Sequence, residues 1–184
     1  MAVPPAEMIA APDCTPPDAT GHGSRRWLGL AALVALGCGS GSSVPLRDEG
    51  KPVGELRAML ADSDPEVQAR GAFGLSRHGP AAAEAVPELI AKLKGSTPLV
   101  RQNAALALGA VGPGAKVAVP ALIEVLTDPE WTVRRQAALA LGAIGPDAKP
   151  ALPALRKLEA DPHKVVRSAA QEARKKIGQA SGGR

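Results

Sequence analysis

Cysteine and histidine are the residues of this 184-residue chain whose side chains most readily do chemistry, and they are few and scattered. Both cysteines, Cys14 and Cys38, precede a long repetitive region, so no disulfide framework or cysteine metal cluster can form inside that region. The histidines, His22, His78 and His163, lie far apart in sequence and share no metal-ligand spacing. We therefore expect no catalytic set, no metal site and no cofactor, and we predict that the protein is not an enzyme.

Arginine and aspartate recur in two columns with a fixed spacing of 33 residues. The aspartates are Asp62, Asp128 and Asp161, with Gly95 in the gap, and the arginines are Arg101, Arg134 and Arg167, with Gln68 in the gap. An arginine stripe could bind phosphate or an acidic ligand. Because the arginines stay in register with the aspartates, we favour the alternative of hydrogen bonding between repeats. The two gaps predict an incomplete ladder.

The region that carries these columns is built from copies of one segment. PLVRQNAALALGAVGP at Pro98–Pro113 is followed 33 residues later by WTVRRQAALALGAIGP at Trp131–Pro146, and weaker copies flank both. Self-similarity at this fixed period indicates an all-α solenoid. Apolar residues at helical spacing predict about four helix pairs within residues 52–178. The predicted pairs are 52–61 with 65–78, 85–94 with 98–111, 118–127 with 129–144, and 151–159 with 162–177.

The ends of the predicted helices carry their own signals. Asp128 and Asp161, each followed by proline, stand two residues earlier than their counterparts, so we expect the last two second helices to start sooner. A glycine column is expected to end each second helix with left-handed backbone: Gly79, Gly112, Gly145 and Gly178. Three leucine positions become polar in the last unit: Glu159, Glu172 and Arg174. These replacements predict a polar face that closes the stack.

The chain before the repeats divides into three segments by composition. Residues 1–24 lack apolar periodicity, which predicts disorder or an extension from a start codon placed too far upstream. Residues 25–37 join a basic pair to the apolar run WLGLAALVALG, the pattern of a signal peptide and too short for a bilayer span of about 20 residues. Residues 38–51 have the composition of a flexible tether. The ALGC junction resembles a bacterial lipobox, which implies lipidation of Cys38; plain secretion is the alternative.

The repeats resemble HEAT repeats, particularly the short bacterial kind also found in phycobilisome lyase proteins. The motif Asp-Pro-x-x-x-Val-Arg-x-x-Ala-Ala-x-Ala-Leu-Gly-x-Ile-Gly is nearly complete at Asp128–Gly145. The resemblance covers residues 52–178, leaving 179–184 as a disordered tail, and implies an α-solenoid whose Asp and Arg columns form a ladder between units. HEAT-like metal hydroxylases hold iron with His-Glu pairs, and neither His78 nor His163 is followed by Glu. The resemblance implies little about function, because such solenoids serve many roles.

Binding is the function that remains. Second helices of a HEAT stack normally line its concave side, and the helical angle places Ala72, Ala105 and Ala138 among their open, non-core positions. The candidate partner-binding residues are Gln102, Trp131 and Arg135. Trp131 is either an interface hot spot or a cover for its own helix junction.

We therefore predict a non-catalytic scaffold that binds another protein. We expect it in a bacterial cell envelope, lipid-anchored and facing the periplasm, or alternatively secreted. The net charge of +4 is modest and aromatic residues make up only 2% of the chain, which argues against a nucleic-acid partner and a small-molecule substrate. The alternative function is an accessory subunit of a lyase-related enzyme complex.

Overall fold

The computed structural model describes residues 50–179, and these residues form eight α-helices in four consecutive pairs. The pairs are α1 (Val53–Leu60) with α2 (Pro65–His78), α3 (Val86–Lys92) with α4 (Pro98–Val111), α5 (Val119–Val125) with α6 (Trp131–Ile144), and α7 (Leu152–Leu158) with α8 (Lys164–Gln179). No strand occurs within 50–179. The predicted all-α solenoid of four helix pairs is confirmed. The predicted segments 1–24 and 25–37, nearly all of 38–51 and residues 180–184 of the tail lie outside the described residues.

The second helices of the last two units start later than the sequence predicted. Helix α6 begins at Trp131 and α8 at Lys164, so the expectation of starts at 129 and 162 is wrong. The reason is that Asp128 and Asp161 form turns of their own. The Oδ1 atom of each accepts the backbone N–H two residues ahead, at 2.9 and 2.8 Å. The proline after each aspartate therefore belongs to the turn and does not open the helix.

Three of the four glycines in the helix-ending column adopt a backbone conformation open only to glycine. Gly79, Gly112 and Gly145 have φ of 55°, 68° and 81° with ψ near −130°, which lies outside the predicted left-handed helical region. A seven-residue 3-10 segment follows each one, at Gly79–Ala85, Gly112–Ala118 and Gly145–Ala151. These segments were not predicted from the sequence. Gly178 lies inside α8, so its predicted helix-ending role is wrong.

The core is built from small aliphatic side chains that repeat from unit to unit. Leucines at one register position of the second helices are fully buried in this core: Leu75, Leu108 and Leu141. The second helices lie very close together, because a Cβ added at Gly109 would meet the Ala140 Cα at 3.0 Å. This close approach explains the poverty in aromatic residues, since large rings would separate the stacked helices.

One described stretch, Pro98–Val125, is long and apolar enough to cross a membrane by length and composition alone. The stretch is not one helix, because Gly112 with its positive φ divides α4 from the 3-10 segment and α5. Leu108 and Leu122 within it are fully buried in the core of the solenoid. We attribute its apolar composition to packing inside the solenoid.

The two ends of the described stack are closed in different ways. At the C-terminal end, Arg174 donates to Glu159 at 2.5 Å, so two of the polar replacements in the last unit are partners. At the N-terminal end, a methyl group at position 71 would lie 2.8 Å from the Met59 Cβ and 2.9 Å from the Leu56 carbonyl oxygen. Gly71 therefore allows α1 to lie directly against α2, where the later units carry alanine.

Candidate interaction surface

Two arginine–aspartate pairs join neighbouring units, and we call each such pair a rung. Arg101 donates through Nε and Nη2 to the Asp128 carboxylate at 2.7 and 3.0 Å. In the next unit, Arg134 donates to Asp161 in the same way at 2.7 and 3.2 Å. Two-point pairing of this kind fixes geometry as well as adding energy. Because the guanidinium edges are occupied by aspartates of this chain, an anion-binding stripe does not form at these two arginines.

The two gaps in the columns belong to a single rung. Each paired arginine reaches the aspartate 27 residues downstream, and the same spacing joins Gln68 to Gly95. Both members are therefore missing together between the first and second units. Gln68 makes only the bond that a rung arginine makes within its own turn. Its Nε2 donates to the Asp62 carbonyl oxygen at 2.6 Å. Arg134 makes the matching bond to the Asp128 carbonyl oxygen at 2.8 Å.

The paired aspartates are held in their ionised form. Burial by itself raises the pKa of Asp128, but the Arg101 guanidinium and the Glu130 backbone N–H outweigh it and hold that pKa below its usual range. The pKa of Asp161 is lowered in the same way, with Arg134 as the guanidinium partner. The Asp161 side chain is only 5% exposed, so the rung is shielded from solvent.

The remaining members of the two columns stand at opposite ends of the described stack. Arg167 donates from Nη1 to the carbonyl oxygens of Asp161 and Pro162, at 2.8 and 2.9 Å, within its own turn. The Asp62 Oδ1 atom accepts the Asp64 backbone N–H at 2.8 Å. Neither side chain has a rung partner among residues 50–179.

The three candidate partner-binding residues lie on the second helices. Trp131 opens α6, is 37% exposed, and stacks on His163 of the next unit with ring centroids 5.4 Å apart. Its ring thus covers the junction with the following unit. Arg135 lies one helical turn further on and is exposed, whereas its register equivalent Gln102 is partly buried. These three side chains belong to one face of adjacent helices.

An apolar column that was not predicted from the sequence runs along the exposed side of the second helices. We call Phe73, Leu106 and Leu139 the apolar ridge. Phe73 is 44% exposed, and the two leucines are partly exposed. The signal was available, because the three residues repeat at the 33-residue period and give way to Glu172 only in the last unit.

The alanines assigned to that open surface are buried instead. Ala72, Ala105 and Ala138 each have no exposed surface. They lie on the side of each second helix that packs against the next second helix, where a small side chain is needed. Their placement on the concave surface is therefore wrong, since helical angle alone cannot reveal contact with a neighbouring unit.

An open groove of about 480 Å³ lies between the first helices of the third and fourth units. Its walls are mainly aliphatic, with Ile123, Leu126 and Pro153 among them, and its ionisable residues are Lys157 and Asp161. Asp161 is already engaged by Arg134. The groove thus presents a mainly apolar surface with the Lys157 side chain in its wall.

A family model described as HEAT repeats matches residues 53–118 and 112–175, which is more than half of the chain. The chain belongs to the HEAT-repeat family. No curated protein sequence matches it.

Three solved structures illustrate the relationship. Human deoxyhypusine hydroxylase is 34% identical with a TM-score of 0.55, and the match covers 71% of this chain and 45% of that protein. The CpcE–CpcF complex of phycocyanin lyase from Nostoc sp. PCC7120 is 25% identical with a TM-score of 0.56, covering 66% of this chain and 79% of the other. A designed armadillo repeat protein in complex with peptide (KR)4 is 20% identical with a TM-score of 0.61, covering 68% and 64%, and supports the fold alone. The chain thus spans less than two thirds of the designed and human proteins.

The two histidines of the repeats stand apart from one another. The His78 ring is half-buried, with Nε2 3.0 Å from the Lys51 carbonyl oxygen, and His163 stacks on Trp131. Within residues 50–179, no group of three or more His, Cys, Asp or Glu side chains is arranged to hold a metal ion. Human deoxyhypusine hydroxylase and the phycocyanin lyase complex resemble the described part of the chain in fold.

Proposed function

We propose that this HEAT protein is a non-catalytic scaffold that binds another protein along the apolar ridge. The observation that carries the proposal is the exposure of Phe73 at 44% on a surface that also presents Leu106 and Leu139. Aliphatic and aromatic side chains left on an open face mark protein-binding surfaces when they are contiguous. The flanking Gln102 and Arg135 supply the polar rim that such a surface needs. No nucleic acid, cofactor or small-molecule substrate is part of this proposal.

The scaffold is proposed to act in a bacterial cell envelope, held by a lipid on Cys38 and facing the periplasm. The support is the signal-like run before Cys38 and the tether composition of residues 38–51. Replacing Cys38 with serine should release the protein into the soluble fraction or leave its signal uncleaved. Membrane fractionation and the mass of the mature N-terminus measure this directly. Normal cleavage combined with unchanged membrane retention would show that the lipid is not the anchor.

The binding surface is tested by photo-crosslinking in intact envelopes. A photoreactive residue at position 106 should capture a protein of defined mass, whereas the same residue at Val117, exposed on a 3-10 segment, should not. The Leu106→Glu variant should reduce capture from a probe at position 73. Glutamate is tolerated at this register position, because Glu172 occupies it in the last unit. Equal capture from positions 106 and 117 would contradict the proposal.

The second candidate is an accessory subunit of a lyase-related enzyme complex. It is favoured by the likeness to the phycocyanin lyase complex, where the match covers 79% of the other chain. An accessory subunit should change the turnover of a captured enzyme when the purified chain is added back. A scaffold should leave that turnover unchanged while altering where the partner is held.

A further inference from the structure

Arg167 is the donor half of a rung whose acceptor is missing from the described residues. In Arg134, Nη1 binds two carbonyl oxygens of its own turn while Nε and Nη2 hold the Asp161 carboxylate. In Arg167, Nη1 makes the same two turn bonds, to Asp161 and Pro162. Its Nε and Nη2 have no hydrogen-bond partner within residues 50–179. The guanidinium is thus already oriented to receive a carboxylate at two points.

Asp62 is the acceptor half of a rung whose donor is missing at the other end. Its Oδ1 accepts the backbone N–H of the residue two positions ahead at 2.8 Å. Asp128 and Asp161 make the same bond at 2.9 and 2.8 Å and accept a guanidinium from the preceding unit. No unit precedes Asp62 among the described residues. Its carboxylate therefore lies in the turn that rung aspartates use, with no guanidinium from residues 50–179 on it.

The unit that carries Arg167 and the unit that carries Asp62 have net charges of opposite sign. From Asp147 to Gln179, the unit of Arg167 carries eight Lys or Arg and four Asp or Glu. From Val53 to Pro80, the unit of Asp62 carries four Asp or Glu and three Lys or Arg. A basic end and an acidic end on one molecule attract each other between copies and orient the encounter.

We propose that copies of this chain associate head to tail, with Arg167 of one copy donating to Asp62 of the next and completing a rung. A second copy is the occupant that fits, because one chain carries both halves in the geometry of its internal rungs. The contact is heterologous, so it extends into chains of copies and does not close as a symmetric dimer does. It goes beyond the proposed scaffold function, since it uses the ends of the stack and leaves the apolar ridge open.

The proposed contact between two copies, which we call the joint, is held by charged groups, and the hydrophobic core does not continue across it. Ala138 and Gly142, which pack against the next helix inside the stack, are replaced by Gln171 and Lys175 in the last unit. Gln171 and Lys175 are polar, so the joint lacks the close contact between small residues that an internal junction has. The association should therefore be reversible and should weaken as salt screens the charged ends.

Zero-length carbodiimide crosslinking of the full chain tests this proposal. Equal amounts of isotopically light and heavy protein are mixed in a non-ionic detergent, which keeps the apolar Trp27–Gly37 run from driving association. Crosslinks between the acidic turn 62–66 and Lys164 should join light to heavy chains, and should fall roughly tenfold between about 50 mM and about 500 mM salt. Crosslinks confined to one isotope, or unaffected by salt, would refute head-to-tail association.

Charge reversal identifies the residues of the joint. Arg167→Glu and Asp62→Arg should each reduce mixed crosslinks roughly tenfold, whereas Lys116→Glu, an equal change of charge at an exposed position of a 3-10 segment, should not. Mixing the Arg167→Glu chain with the Asp62→Arg chain should restore crosslinks, which misfolded variants could not do. Failure of that rescue, or an equal loss in the Lys116 variant, would overturn the assigned contact. Photo-capture at position 106 is independent of this result.

Discussion

The rung between Arg134 and Asp161 offers the most direct test of how the solenoid is held together. Arg134→Met keeps the aliphatic stem and removes the guanidinium. Arg167→Met is the matched control, because Arg167 makes the same two bonds to its own turn but has no aspartate partner among the described residues. The difference between the two variants isolates the bond between units.

The expected magnitude follows from burial. The Asp161 side chain is 5% exposed and that of Arg134 13%, so removal of the arginine leaves a shielded carboxylate unpaired. Breaking a buried ion pair costs about 3–5 kcal/mol. The two turn bonds that Arg167→Met also removes are worth about 1–2 kcal/mol together, at the net value of ordinary hydrogen bonds. Both variants lose these turn bonds, so the bonds cancel in the comparison, and Arg134→Met should destabilise the chain by about 3–5 kcal/mol more than Arg167→Met.

Urea unfolding followed by circular dichroism measures both variants, at low protein concentration so that association does not contribute. A lower midpoint with an unchanged slope indicates a loss of stability, and a lower slope indicates that the stack has separated into independent parts. Asp161→Asn keeps the turn-forming oxygen, so the double variant with Arg134→Met should lose less than the sum of the single losses. If Arg134→Met and Arg167→Met agree within about 0.5 kcal/mol, the rung does not stabilise the fold.

Three further outcomes are expected. Leu108→Ala should lower the unfolding free energy by about 2–5 kcal/mol, because Leu108 is fully buried. Arg174 stands at the same register position in the last unit with its side chain 38% exposed, so Arg174→Ala should cost at most about 1 kcal/mol. Equal losses of the two variants in urea unfolding would contradict a closed end of the stack. Gly71→Ala should lower the unfolding midpoint by overpacking, at about 1–3 kcal/mol, while Gly54→Ala, with nothing within 4 Å, should be neutral or stabilising. The pKa of Asp161 is lower when folded, so its stabilising contribution is complete above about pH 4 and is lost as the pH falls through the folded value. Below about pH 4, the unfolding free energy should therefore fall less steeply with decreasing pH in the Arg134→Met variant than in the unmodified protein.

The repeat period made the helices predictable, and local turn geometry limited how well their boundaries were placed. The predicted 65–78 and 98–111 match α2 and α4 residue for residue. The predicted starts at 129 and 162 failed because an Asp-Pro pair serves equally as a helix cap and as a turn. The 3-10 segments were missed because their sequences, such as GPAAAEA at Gly79–Ala85, carry no apolar periodicity that distinguishes them from a loop.

The candidate site was predictable where a residue's role is repeated and unpredictable where it depends on the neighbouring unit. The Arg and Asp columns were visible in the sequence, but which unit each arginine reaches is fixed only by the stacking. The same limit applies to Ala105, whose helical angle suggests an open face but whose neighbour in space is the next second helix. The apolar ridge at Leu106 lies one position away and remains partly exposed.

The junction between the first two units shows that the missing rung is replaced and not merely lost. Asn103, which is buried, donates from Nδ2 to the Ala69 carbonyl oxygen at 3.0 Å across this junction. On the first-helix side, Arg57 donates from Nε to Glu88 at 3.0 Å. Each bond joins the first unit to the second, as a rung would. At this junction Gly95 stands where the other units have the rung aspartate, and Gln68 stands where they have the arginine. The bonds of Asn103 and Arg57 therefore couple the first unit to the second, and neither rung position carries an unpaired charge.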